Sequence, residues 1–530
     1  MRTVLVRFPL WYARAAMTRW IVAAALFVQS AAPASRPRAA SPADEIARGI
    51  AALHDFEYED ANAAFRRARA LDPSSVLGAW GEAMSYHQTL WRNENVEAGR
   101  AALARLAPTP DARAAMASTP RERLLLAAIE RLFASGDAST RRAAYVDAMA
   151  AAHDRLPDDA DIGAFYALAL LGTASRSLIG TGDAHDPALA GSAIQQRVAA
   201  LLTHVLERNP RHPGALHYLI HDYDDPGHAR LALAAAREYA KVAGDSSHAR
   251  HMPAHVFVQL GLWRDAEASD RASWQASVAW TDRNRLDPAV RNYHALAWRQ
   301  YELLQLGRYR EAAALVDELA PAASNDPSHR LLSDLSSMRA RVAIETRRWE
   351  LLAREGSFGN VDDLFAIGVS TARTGALDRA EKVRQTLAQR ASAPEEGDLR
   401  PAIAIMEREL AAVAADAAGR RAEALAIAEA AARAELALPA PLGLPHPIKP
   451  APELLGELLL DAGQPARARA AFEQTLQRQA NRSLAVLGLA RAAAALKQTT
   501  LAQAQYRKLA ENWSGGDDTP ERREARSGGK

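Results

Sequence analysis

A spacing that recurs near both ends of the chain constrains its fold most. In "GIAALHDFEYEDANAAFRRARALDP", Gly49 is followed twelve residues later by Ala61, four further on by Phe65, and then by Pro73. In "GELLLDAGQPARARAAFEQTLQ", Gly456, Ala468 and Phe472 keep the same twelve and four residue offsets. Small residues at those steps let two antiparallel helices touch, an aromatic fills the gap between them, and proline stops the second helix. One such unit cannot bury its own apolar face, so copies must stack into an array.

These are tetratricopeptide spacings, and the turn inside the unit recurs as well, with Gly followed five residues later by Ala. It stands at "LGLWRDA" (260–266), "LGRYREA" (306–312), "TGALDRA" (374–380), "AGRRAEA" (418–424) and "AGQPARA" (462–468), with "ETRRWELL" (345–352) as a degenerate copy. Glycine supplies the backbone freedom to leave the first helix, and alanine lets the second come close. Ala-, Leu-, Arg- and Glu-rich stretches with apolar residues three and four apart fill the rest, with hardly any alternating strand pattern. The expected fold is all-α, a tetratricopeptide-like α-solenoid, that is, a superhelix of antiparallel helix pairs. The array is expected over 44–436, with a His-rich segment at 204–255. A Pro-rich linker at 437–452, a C-terminal pair of tetratricopeptide repeats at 453–513 and a frayed polar tail at 514–530 follow. Further loops are read at 106–120, 172–191 and 320–329.

The N-terminus carries Arg2, Arg7, Arg14 and Arg19 ahead of an apolar stretch from Trp20 to Val28 and the small residues Ser30, Ala31 and Ala32. That pattern predicts a secretory signal peptide over 1–34, with Met17 as an alternative start and a short linker at 35–43. The apolar run is shorter than the ~20 residues of a membrane span. The expectation is an exported chain, periplasmic or secreted, with no membrane span once the signal is removed. Loss of residues 1–32 removes four Arg and no acid, which turns a formal charge of +2 into −2. Lys+Arg at 65 against Asp+Glu at 63, with no basic run, argues against a nucleic-acid partner. With Cys at 0, disulfides, thiolate metal sites and a cysteine nucleophile are excluded, and the fold must rest on packing.

Of fifteen histidines, eight lie between residues 204 and 255 (His204, His212, His217, His221, His228, His248, His251 and His255). "HPGALHYLIHDYDDPGHARLALAAAREYAKV" reads as a helix ending near Tyr223, a turn, and a second helix to about Val242. His217 and His221 are four apart and share one face of the first helix. The next first helix is expected to begin near Pro253, because proline is tolerated in a first turn. That places His248 before the helix and gives His251 and His255 the same separation. First helices of successive repeats stack side by side, so His217 and His221 should face His251 and His255. Four imidazoles meeting from two helices suit Zn, Cu, Ni or Fe, with His248, Asp222 or Asp224 as further ligands or as acceptors behind them.

The plainer alternative is hydrogen bonding within tight helix contacts. His54, His153, His185, His204, His329 and His446 are assigned to it; His87 and His294, on expected first helices, could reach the same concavity, with packing the favoured reading. Trp80, Trp91, Trp263, Trp298 and Tyr301 are read as fillers between helices. Asp222, Asp224 and Asp225 suit either a general base for metal-bound water or the turn before Pro226, and the turn is favoured. HExxH, GxSxG and P-loop motifs are absent from the sequence, as is a convincing dinucleotide-binding turn.

"HYLIHDYDDPGHARLALAAAREYAKVAGDSSHARHMPAHVFVQLGLW" resembles the signature of exported bacterial tetratricopeptide-repeat proteins that pair HYxIHxxDxP with HAxHMxxHIF. His217, Tyr218, Ile220, His221, Asp225, Pro226, His248, His251, Met252, His255, Phe257, Gly261 and Trp263 match it. The resemblance runs from about Asp44 to Trp513. Val256 stands where the group has Ile, and "GDSS" replaces a more apolar turn. The group has no established activity, so the resemblance implies a fold and the position of a site. Two functions are therefore expected. The first is a scaffold that takes a protein or peptide in its concave groove and carries a histidine metal or ligand site on that face. The alternative is a metal-dependent enzyme at the junction of the two histidine-bearing repeats. The scaffold is favoured, because groove binding is what such repeats usually do.

Overall fold

Each repeat begins with a helix that its flanking residues start and stop. The computed structural model describes residues 40–174, 191–326, 330–357 and 359–530. The expected signal peptide, most of the 172–191 loop, His185 and His329 lie outside them. In the first repeat Ser41 caps the helix Pro42–His54 through its hydroxyl, and Asp44 reaches back to the Ser41 backbone. The second helix, Tyr58–Leu71, returns antiparallel and presents Ala61, Phe65 and Ala68 to the first. The Phe65 ring lies where a side chain on Gly49 would stand, and equally against Gly81 of the following helix Val76–Met84. Phe472 occupies the same notch between Gly456 and Gly488 near the other end. The aromatic therefore locks its own pair and the next first helix together, and full burial of such a ring contributes ~1.5–3 kcal/mol.

Among the described residues there are 25 α-helices and one antiparallel ladder of two short strands, His87–Gln88 with Asn93–Glu94. Consecutive helices pack on one another along the chain, and first helices of neighbouring repeats also touch, as Pro213–Asp222 does Ser247–Gln259. This is a tetratricopeptide-like α-solenoid. The expected glycines turn the chain with positive φ at Gly261, Gly307, Gly375, Gly419 and Gly463. In the degenerate copy Arg347 takes that position at φ 55°, and only a 3-10 turn over Trp349–Leu351 follows. Leu352 replaces the alanine there, so a close second helix is not accommodated.

The far end of the array folds back onto its middle. Trp263 donates from Nε1 to the Asn481 carbonyl at 2.8 Å, and Asn481 donates from Nδ2 to the Gly261 carbonyl at 2.8 Å. Ser483 and Trp513 both donate to the Gln305 carbonyl, at 2.6 and 3.0 Å. Buried Arg482 spans the contact, donating to Glu453 at 2.7 Å and to Glu345 at 2.6 Å. Two sequence expectations change here. Residues 437–452 do not simply separate a C-terminal segment. They run as a strap, with Ile448 and Lys449 buried and Gly443 against the Trp298 ring. Residues 514–530 are not frayed. Thr519 caps the helix Pro520–Gly528, and Glu524 accepts from Arg491 at 2.6 Å and from Tyr506 at 2.8 Å.

Candidate metal centre

The helix Pro213–Asp222 starts at His212, whose Nδ1 accepts from the Ala215 amide at 3.1 Å, with Pro213 in the first turn. It carries His217 and His221, both buried. The helix Ser247–Gln259 starts six residues earlier than Pro253 suggests, because the Ser246 hydroxyl accepts from the Ala249 amide and caps it. His248 is therefore inside the helix, one turn before His251. Pro253 sits in the interior, where its missing N–H removes one rung of the ladder.

That earlier start decides which imidazoles meet. His217 and His221 gather with His248, and His251 and His255 gather with His294 of the helix Tyr293–Gln305. In each set the nitrogens lie within 4.8 Å of one another, a spacing that could hold a metal ion. The expected quartet of His217, His221, His251 and His255 is thus divided into two trios. Along one helix His248 turns toward the preceding repeat, while His251 and His255 turn toward the following one. His294, read as packing from the sequence, completes the second trio. A useful signal was available: His217, His251 and His294 all lie on first helices of successive repeats.

In the first trio, Nδ1 of His217 donates to the His54 carbonyl at 2.7 Å, and its Nε2 lies 3.2 Å from Nε2 of His248. Burial pushes His217 down to about 3. His248 is held well below the usual imidazole range by burial first, then by the neighbouring His217, His255 and His294. Charges on the two trios therefore oppose one another. Phe56 packs over the first trio, with ring centroids 4.4 Å from His217, 5.7 Å from His221 and 5.4 Å from His248. It occupies the turn position, five residues before Ala61, that glycine holds in five repeats and Arg347 and Lys497 hold in two others, and keeps the same positive φ at 60°. A bulky residue in that conformation is costly, and such strain is often held at functional sites. The sequence signal for Phe56 was a missing glycine.

In the second trio, Nδ1 of His255 donates to Asp224 at 2.6 Å, and Nδ1 of His251 donates to buried Asp270. The two Nε2 atoms then face each other at 3.0 Å. Each Nδ1 faces a carboxyl group, which leaves the two Nε2 atoms to share either a hydrogen-bonded proton or a metal ion. Both Nε2 separations approximate the edge of a coordination tetrahedron, ~3.3 Å for bonds of ~2.0–2.1 Å. Burial pushes His251 well down and Asp270 well up, the latter aided by the neighbouring Glu302. Trp298 stacks on His255 at 4.5 Å.

Of the further candidates, Asp224 is an acceptor behind His255 rather than a member of either trio. Asp222 joins neither trio. One residue beyond His221 it points about 100° around the helix, and burial raises its carboxyl to about 8. Asp270, on the helix Trp263–Asn284, was not found from sequence, since nothing local ties it to a histidine nineteen residues earlier. A third group, His54, Asp161 and His212, is already engaged. His54 bridges Tyr218 Oη and Asp161, each at 3.0 Å, His212 reaches Asp161 at 3.3 Å, and Arg121 ion-pairs with Asp161 at 2.5 Å.

A cleft of about 500 Å³ borders the first trio, lined by Asp55, Phe56, Glu57, Ser246, His248 and Trp280 among others. Burial raises Asp55 to about 6 and Glu57 to about 7. Among the described residues no helix is long and apolar enough to cross a membrane.

No protein-family model matches the chain, and no curated protein does. Solved structures similar to it include the tetratricopeptide domain of P58(IPK), at 13% identity and a TM-score of 0.25 over 86% of this chain and 99% of that one. The anaphase-promoting-complex hetero-tetramer Cut9–Hcn1 is similar at 13% identity and a TM-score of 0.29, over 92% and 90%. Yeast Tom70 is similar at 12% identity and a TM-score of 0.29, over 92% and 94%.

Proposed function

We propose that this chain is an exported helical-repeat scaffold that holds divalent transition-metal ions in a buried all-histidine centre where first helices of successive repeats stack. One observation carries the reading: Nε2 of His251 and Nε2 of His255 face each other at 3.0 Å while both Nδ1 atoms are tied to carboxylates. Neutral imidazoles without a thiolate suit Zn, Cu, Ni or Fe. A bound ion would supply a positive charge among buried carboxylates, and the chain's own part is to fix the tautomers and exclude water. As a scaffold, the array takes a protein or peptide in its concave groove, the usual use of such surfaces.

The test is metal analysis of untagged mature protein from metal-replete cells. Stoichiometric transition metal is expected, with large loss in the double variant His221→Ala/His255→Ala. Metal-free protein, together with unchanged stability of the double variant, contradicts the reading.

A second reading, a metal-dependent enzyme at the same junction, draws on the cleft. Asp55 and Glu57 line it together with His248, and their raised carboxyls are suited to accepting a proton near neutral pH. Turnover that is lost in Glu57→Gln while metal content is kept would favour it.

A further inference from the structure

The two trios differ in what stands behind their imidazoles and in what covers them. Behind the second trio are two carboxylates, Asp224 and Asp270, each accepting an Nδ1–H. Such partners raise ligand basicity, and removing one typically costs 10–100-fold in metal affinity. Its cover is Trp298, which lies 4.5 Å from His255 and 5.1 Å from His251 and is itself held by Gly443 of the strap. Behind the first trio the anchor on His217 is a neutral backbone carbonyl. Each trio has one half-buried member, His294 in the second and His248 in the first, and it is His248, with Phe56, that lines the open cleft.

Resting on the proposal that the centre binds metal, we infer that the trios form two inequivalent sites for divalent transition cations. His251, His255 and His294 hold an enclosed, slowly released ion, and His217, His221 and His248 hold an exchangeable ion that enters and leaves through the cleft past Phe56. Asp224 and Asp270 act as positioning residues for the enclosed ion. Phe56, which packs against all three imidazoles and lines the cleft, is the shutter of the exchangeable one.

The experiment loads the full chain with Zn(II) and follows its release to a chromophoric chelator in excess. Two phases of one ion each are expected, with rates at least tenfold apart. His248→Ala should abolish the fast phase and keep the slow one, and Asp224→Asn should speed the slow phase alone. Phe56→Gly, which suits the positive φ and so avoids backbone cost, should speed the fast phase alone; circular dichroism checks that each variant is folded. A single phase carrying both ions, a capacity of one ion, or loss of the slow phase in His248→Ala overturns the inference while leaving metal binding intact. Failure to load any Zn(II) overturns metal binding itself and the inference with it.

Discussion

At the residue scale, the chemistry turns on which histidine nitrogen carries the proton. His217 is anchored through Nδ1 and buried, so the folded metal-free chain refuses a proton there until about pH 3, whereas the unfolded chain accepts one near 6.5. A folded-state value below the unfolded one means that stability is complete above pH 6.5 and is lost as the pH falls through that window. At ~1.4 kcal/mol per unit, the contribution from His217 is on the order of 5 kcal/mol. Urea midpoints of the metal-free protein should therefore fall between pH 7 and 4, and His217→Gln should flatten the trend; equal slopes would contradict it. Asp270→Asn should weaken metal binding by 10–100-fold, read by competition with a chelator. The residues on first helices were legible because histidine is rare and its spacing is regular. Asp270 and the His54 carbonyl were not legible, since a second helix or a distant backbone supplies them with no local pattern.

At the element scale, the repeat was legible because a glycine notch and the aromatic that fills it must keep a fixed offset. Gly81 and Gly488 each face a ring so closely that an added Cβ would stand 2.2 Å from it. Gly488→Ala should destabilise by ~1–3 kcal/mol through overpacking, whereas Phe472→Ala should cost ~3–5 kcal/mol by leaving a cavity; both are read from denaturant midpoints. Equal stability of either variant with the parent would show that the notch is not a packing contact. The helix Ser247–Gln259 starts ahead of its proline because the Ser246 cap outweighs the first-turn preference of Pro253. That six-residue difference moved His248 into the helix and divided one expected quartet into two trios.

At the scale of the whole molecule, the C-terminal helices dock on the turns of the middle repeats through contacts between residues about 180 to 220 apart in sequence. No local pattern encodes such a contact, so the strap at 437–452 read as a linker and the terminal helix as a tail. Arg482 holds this closure, buried between Glu345, Glu453 and Tyr301. Arg482→Met should cost ~3–5 kcal/mol by leaving buried Glu345 without its cation and Glu453 with Lys449 alone, seen as a lowered melting temperature. An unchanged melting temperature would remove Arg482 from the closure. The closed array fixes the strap over Trp298, and Trp298 over His255, so the centre depends on the fold's long-range closure as well as on its own helices. The most direct measurement of the central claim is anomalous diffraction at a transition-metal edge from crystals of the metal-loaded chain. The account predicts a peak about 2.1 Å from Nε2 of both His251 and His255; no peak at that pair, in crystals whose protein binds metal elsewhere, would contradict it.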